Sequence, residues 1–261
     1  MLRPLNPPIT GWAERRVWLV GASSGIGEAL ARELLARGAR VALSARREAP
    51  LRAIAAAAPD RSLVLPMDVL DAPAADAAHR AVLERWGGLD LVVWVAGIYE
   101  PLRAFEIDLE AARRMLRVNI EGVFNGLACV VPTLLAQGRG SIAIVSSVAG
   151  YGGLPKALAY GPSKAALNNL AEALYLDLHP RGLGVHLICP GFVETPATAG
   201  NDFRMPALIP APEAARRILA GFERGDFETH FPRRFTGVLR LLRLLPRRLY
   251  FALLRRVANA S

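Results

Sequence analysis

Cysteine is scarce in this 261-residue chain: only Cys129 and Cys189 occur, each in an apolar run with no second ligand nearby. That argues against a disulfide framework or a metal site, and fits two buried thiols in a reducing, cytoplasmic compartment. The opening stretch, MLRPLNPPITGWAERR, lacks the apolar core of a secretory leader, so none is expected. Unbroken apolar runs are missing as well. Residues 122–138 are interrupted by Asn125, Pro132 and Gln137, and no membrane-spanning helix is expected. Acid is absent from one region, Arg233 to Ser261, which holds eight arginines and no aspartate or glutamate. The formal charge of +9 therefore belongs almost wholly to the tail, and residues 1–232 carry 24 basic side chains against 23 acidic ones. A basic balance confined to a tail without interleaved stacking aromatics does not suggest a nucleic-acid partner.

What is present is a regular alternation of apolar strands and amphipathic helices, in a chain long enough for one large α/β core. RVWLV runs straight into the turn GASSGIG and the helix EALARELLARG, which ends at Gly38. Gly21, Gly25 and Gly27 lack a Cβ and let the backbone approach a pyrophosphate, and the helix N-terminus favours its negative charge. ARVALSA, SLVLPMDV ending at Asp68, LDLVVWVAG ending at Gly97, SIAIVSS and VHLICP read as further strands. Helices are expected at Ala72–Trp86, at Ala111–Gln137 with Asn119 inside, and at Gly161–Asp177. Six alternations predict a Rossmann-like, doubly wound parallel sheet in three α/β/α layers, with ligands outside the strands' carboxyl ends. Gly21, Asp68, Gly97, Ser147 and Pro190 all fall there.

The segment Val145–Lys164, VSSVAGYGGLPKALAYGPSK, carries the most chemistry. On a helix, Tyr160 and Lys164 lie one turn apart on one face, where an ammonium would lower the phenol's pKa towards that of a working acid–base group. Ser147 arrives from the preceding strand as a neutral hydrogen-bond donor. The same spacing also fits a half-buried tyrosine beside a solvated lysine, so context decides. After the second strand, Ala45 and Arg46 stand where an NAD site would place an acid. Arg46 and Arg47 suit a 2′-phosphate, or else form a solvated loop.

Together GASSGIG, Asp68, Asn119 in RVNIEGVF, Ser147, YGPSK and PGFVETP resemble the short-chain dehydrogenase/reductase family over roughly residues 15–225. The resemblance implies that Tyr160 is the catalytic acid, that Lys164 lowers its pKa and binds the nicotinamide ribose, and that Ser147 polarises the carbonyl. Asn119 matches the residue that kinks its helix and holds a water in a proton relay; otherwise it is an asparagine facing solvent. Gly21, Ser23, Ser24, Gly25, Ile26 and Gly27 match the pyrophosphate turn, Asp68 with Val69 the adenine step, and Ala45 with Arg46 the NADP-preferring pattern. Ala96 and Gly97 follow the fourth strand in the cofactor crevice, and Pro190, Gly191, Val193 and Thr195 match the nicotinamide segment. The family's usual Asn-Asn-Ala-Gly is replaced by Trp94-Val95-Ala96-Gly97, which implies an altered local hydrogen-bond pattern, or simply more filled core. The expected activity is NADP(H)-dependent interconversion of a carbonyl and an alcohol, on an apolar or lipid-like substrate and without a metal. The alternative is a non-catalytic NADP-binding sensor, or a membrane-docked binding protein on the same fold. A homodimer or homotetramer built on the two long helices is implied.

Residues 1–232 read as one domain and 233–261 as a basic helical extension of it; FETHFP could supply a short last strand. Around Pro246 the tail divides into two amphipathic helices. Arg240, Arg243 and Arg247 oppose Val238, Leu241, Leu242 and Leu245, and the second stripe is Leu249, Tyr250, Leu253, Leu254 and Val257, with Arg248 and Arg255 beside it. Such a segment suits an anionic membrane surface, on the inner face for a cytoplasmic protein; it equally suits packing on the domain or on a second subunit. The loop from Ala197 to Ile209 offers Thr198, Asn201, Phe203, Arg204 and Met205 as substrate-lining candidates.

Overall fold

The computed structural model describes residues 3–201 and 205–258. Seven parallel strands form one sheet in the order β3-β2-β1-β4-β5-β6-β9. They are β1 (Arg16–Val20), β2 (Arg40–Ser44), β3 (Ser62–Val64), β4 (Leu91–Trp94), β5 (Ser141–Val145), β6 (Gly184–Pro190) and β9 (Glu228–Phe231). Separately, β7 (Val193–Glu194) pairs with β8 (Ile209–Pro210). Alternate side chains of each central strand serve opposite faces. Val17, Leu19, Val41, Leu43, Leu91 and Val93 pack under α1 (Gly25–Ala36), α2 (Glu48–Ala55) and α7 (Ala211–Arg224). Trp18, Val20, Val92, Trp94, Ile142 and Ile144 pack under α3 (Ala72–Trp86), α5 (Gly122–Gln137) and α6 (Tyr160–Leu178). Both faces are covered, which is why these strands are apolar throughout. The order reverses between β1 and β4, and the crevice opens at that switch point.

Several expected bounds shift for local reasons. The third strand ends at Val64 rather than Asp68, because Pro66 has no N–H to donate; Leu65 and Met67 still donate to Leu43 and Ala45 as the chain runs on to Asp68. The helix expected at Ala111–Gln137 starts earlier, in α4 (Leu109–Leu116), where the Asp108 side chain caps the Ala111 amide. It then widens into a π turn at Arg117–Glu121 before α5. The continuous stretch Leu109–Gln137 is long and apolar enough to cross a membrane by length and composition, but Val123, Val130 and Leu134 are buried against the sheet. The helices α2 and α7 were not expected. Trp94 fills core space: its ring lies edge-on to Trp18 at 6.3 Å and occupies the position that a Cβ on Gly126 would need. Its indole N–H is buried and has no partner among the described residues, so the changed hydrogen-bond pattern includes one unmet donor there.

Beyond β9 the tail forms α8 (Arg233–Arg243) and α9 (Arg247–Ala258), separated at Pro246. Its apolar residues divide differently from the expected stripes. Phe235 and Leu239 pack on the core, Leu242 is half-buried and Tyr250 is buried, while Val238, Leu241, Leu244 and Leu249 are exposed.

Candidate active site

The glycine turn follows β1 at the switch point. A Cβ on Gly21, at φ +95°, would lie 2.5 Å from the Ala96 amide nitrogen, and one on Gly27 would lie 2.0 Å from the Gly21 carbonyl oxygen. Only glycine allows β1, α1 and the end of β4 to approach this closely. Ser24 stands at the N-cap of α1 with no side-chain capping bond, so the amides of the first turn are not claimed by it. A Cβ on Gly25 would meet Thr195 Cγ2 at 2.8 Å, so the segment Pro190–Thr195 lies across the same turn. Thr198 anchors that segment: its hydroxyl donates to the Val193 carbonyl at 2.7 Å and accepts from the Thr195 amide at 3.1 Å. Asn201 donates to Met205 Sδ at 3.3 Å. Phe203 and Arg204 lie outside the described residues.

The residues at the adenine end sit as the strand order places them. Asp68 is exposed and accepts from the Leu70 amide at 3.0 Å; Val69 is buried, and its side chain occupies the space above Gly122. Arg46 and Arg47 are exposed just beyond β2, and among the described residues neither is paired with a carboxylate. Arg47 donates to the Ser23 carbonyl at 3.4 Å, which holds a guanidinium beside the glycine turn.

Behind this cradle the proposed acid–base groups come together. Ser147 follows β5 in extended conformation, and its Oγ accepts from the Ala149 amide at 3.1 Å. Tyr160 opens α6, and one turn on, Lys164 Nζ lies 5.6 Å from the Tyr160 ring centroid. A Cβ on Gly97 would lie 3.2 Å from Asn119 Oδ1 and 3.3 Å from Lys164 Nζ, so the glycine after β4 lets both polar groups approach its backbone. Asn119 is fully buried in the π turn. Its Oδ1 accepts from the Ile98 amide at 2.8 Å, and its Nδ2 donates to the Ile98 carbonyl at 3.0 Å and to Ser163 Oγ at 3.1 Å. The side chain thus clamps the loop after β4 to α6, which corrects the reading of an asparagine turned to solvent. A cradle shaped by missing Cβ atoms, a free helix N-terminus and a lysine beside Gly97 fits a nicotinamide dinucleotide.

The electrostatics differ from the expectation in one respect. Desolvation pushes the Tyr160 phenol up to about 12, opposed by a hydrogen bond with the Ser147 hydroxyl. Lys164 does not bring the phenol below its ordinary value. The lysine is itself 4% exposed, and burial pushes its ammonium down to about 8. Its Nζ donates to the Val145 carbonyl at 3.0 Å.

The sequence reading missed four supports. Tyr99 packs edge-on against Tyr160 at 5.0 Å and also raises its pKa. Ser163 receives Asn119. The Val145 carbonyl receives Lys164, and Ser146 Oγ donates to the Lys164 carbonyl at 2.9 Å, tying β5 to α6. Tyr99 stands two residues past Gly97 at a strand's carboxyl end, a position that could have marked it. Among the described residues, no three His, Cys, Asp or Glu side chains gather where they could hold a metal.

A family model described as short chain dehydrogenase matches residues 15–204. An uncharacterized oxidoreductase of Myxococcus xanthus is 37% identical over 246 residues, covering 93% of this chain and 97% of that protein. The 2-(R)-hydroxypropyl-CoM dehydrogenase of Xanthobacter autotrophicus is also 37% identical, over 81% of this chain and 84% of its own. The crystal structure of a short-chain dehydrogenase from Streptomyces avermitilis superposes with a TM-score of 0.79 at 25% identity, covering 95% of this chain and 99% of that one.

Proposed function

Because the chain belongs to the short-chain dehydrogenase family, and is therefore an oxidoreductase acting on CH–OH groups with a nicotinamide cofactor, we propose that it is an NADP(H)-dependent reductase of apolar or lipid-like ketones and aldehydes. The observation that carries this reading is the meeting of Ser147, Tyr160, Lys164 and Asn119 behind the glycine cradle. When bound, the cofactor supplies the hydride that adds to the carbonyl carbon. The Ser147 hydroxyl orients the carbonyl by donating to its oxygen. Tyr160 gives that oxygen its proton, so the carbonyl becomes an alcohol and the phenol becomes a phenolate. Lys164, mostly charged at pH 7 with a pKa of about 8, offsets the negative charge left behind. A phenol held near 12 is protonated at neutral pH, so Tyr160 holds the proton that the reduction requires.

Three finer readings have their own support. Arg46 and Arg47, without a carboxylate partner among the described residues and beside a β2 end without an acid, support NADP over NAD. Exposed Leu158 and Leu208, one just before Tyr160 and the other just before β8, support an apolar substrate. Exposed Phe124 and Leu135 on α5 and Leu176 on α6 support pairing of subunits through the two long helices. The test follows NADPH and NADH oxidation with ketones and aldehydes of increasing chain length. Tyr160→Phe should lower kcat by about 100- to 10,000-fold. Unchanged turnover in that variant removes the catalytic assignment, and a coenzyme preference untouched by Arg46→Ala with Arg47→Ala removes the NADP reading.

A further inference from the structure

The tail is held against the active-site loop. Tyr250 donates to the Gly153 carbonyl at 3.3 Å and occupies the space above Gly152. Val148, Tyr151 and Leu154, just beyond Ser147, meet Leu239, Tyr250 and Leu254 around a small gap. Phe235 packs on Phe192 at 5.6 Å, and Arg240 lies 3.6 Å from Glu228, which in turn accepts from Tyr151. These contacts use only the inner side of α8 and α9. On the outer side Leu244 is 81% and Leu241 66% exposed, with Val238, Leu249 and Phe251 also more than half exposed. Arg233, Arg234, Arg243 and Arg248 are exposed, and among the described residues they have no carboxylate partner.

We propose that α8 and α9 form an interfacial anchor that docks the protein on an anionic lipid bilayer, with Val238, Leu241, Leu244 and Leu249 among the acyl chains and the arginines at the headgroups. Charge decides between occupants. A second copy placed on this face would set arginine against arginine, since residues 233–261 contain no acid, whereas a surface of lipid phosphates complements them. The exposed leucines need an apolar partner, which a soluble polyanion does not offer. Docking here would hold the loop beyond Ser147 close to the bilayer.

The test is co-sedimentation of the full-length protein with sucrose-loaded vesicles of phosphatidylcholine, with and without phosphatidylglycerol. Binding is expected on the anionic vesicles and should weaken sharply on pure phosphatidylcholine. Arg243→Gln with Arg248→Gln should weaken it about 25-fold, at about fivefold per arginine. Leu241→Ser with Leu244→Ser should weaken it by about tenfold or more. Both pairs are exposed, and an unchanged melting temperature verifies the fold. Failure of the full-length protein to sediment with anionic vesicles overturns the proposal. So does full binding by the leucine variant, which would mean adhesion by charge alone. Conversion of an oligomer to a monomer in the leucine variant, with vesicle binding retained, would assign the face to a second subunit instead.

Discussion

Replacing Lys164 by methionine should make the ligand-free protein more stable while removing its activity. Burial holds the Lys164 ammonium at about 8 against an ordinary 10.5. At 1.36 kcal/mol per unit, the charged lysine costs the fold about 3 kcal/mol at pH 7. Methionine forfeits the bond to the Val145 carbonyl, worth about 1 kcal/mol, so the net gain is about 2 kcal/mol. For a chain of this size that corresponds to a rise in Tm of about 4–8 °C. The pH dependence gives the sharper check. Between the folded value near 8 and the unfolded value near 10.5, the unfolded chain binds the extra proton, so the wild type gains stability as pH rises. The variant's advantage should be complete below pH 8 and should shrink through that window. Urea denaturation of both proteins at pH 7, 8.5 and 9.5 measures it. A variant less stable than wild type at pH 7, or an advantage that stays constant to pH 9.5, would refute the argument.

Two further substitutions probe the scaffold. Gly126→Ala puts a methyl group where the Trp94 ring lies and should cost about 3 kcal/mol; in a Trp94→Leu background the same change should cost at least about 1 kcal/mol less, as a double-mutant cycle in denaturant will show. Asp90 accepts from the Arg16 amide, Nε and Nη2; desolvation pushes its carboxyl up, but these bonds and the guanidinium charge hold it below its ordinary value. Asp90→Asn should therefore cost about 1–2 kcal/mol at pH 7, and the difference from wild type should fade as pH drops through the lowered folded pKa; a loss that is the same at pH 3 and pH 7 would contradict this.

The parts of the fold legible in the sequence are those specified within a few neighbouring residues. Gly21, Gly25 and Gly27 announce a backbone crossing where a strand meets a helix, and a Cβ at any of the three would collide with a neighbouring segment there. For α7 the signals were equally local: Ala214, Ile218, Leu219 and Phe222 form a helical stripe between Pro212 and a left-handed Gly225. No side chain caps its start, where Pro210 stands, so the usual sequence mark of a helix beginning is missing. By contrast α2 has only Leu51 and Ile54 to bury, and Pro50 disguises it. The site was legible as residue types and order, not as energetics. That Tyr160 is raised and Lys164 lowered depends on how deeply the fold buries both, with Tyr99 adding to the rise at Tyr160. Nor does RVNIE announce a π turn, since the bonds Asn119 makes to Ile98 and Ser163 are tertiary.

The sheet order also has a consequence for biosynthesis. All of β6, from Gly184 to Pro190, is buried, and on its outer side it is paired by β9, a strand of four residues made near the end of the chain. Until β9 pairs with it, the strand that leads into Pro190 and Gly191 has an uncovered row of backbone donors and acceptors flanked by apolar side chains. That is the kind of edge on which nascent chains associate. A chain halted short of Glu228 should accordingly be found with chaperones or in aggregates, even though Asn119, Ser147, Tyr160 and Lys164 have all been synthesised.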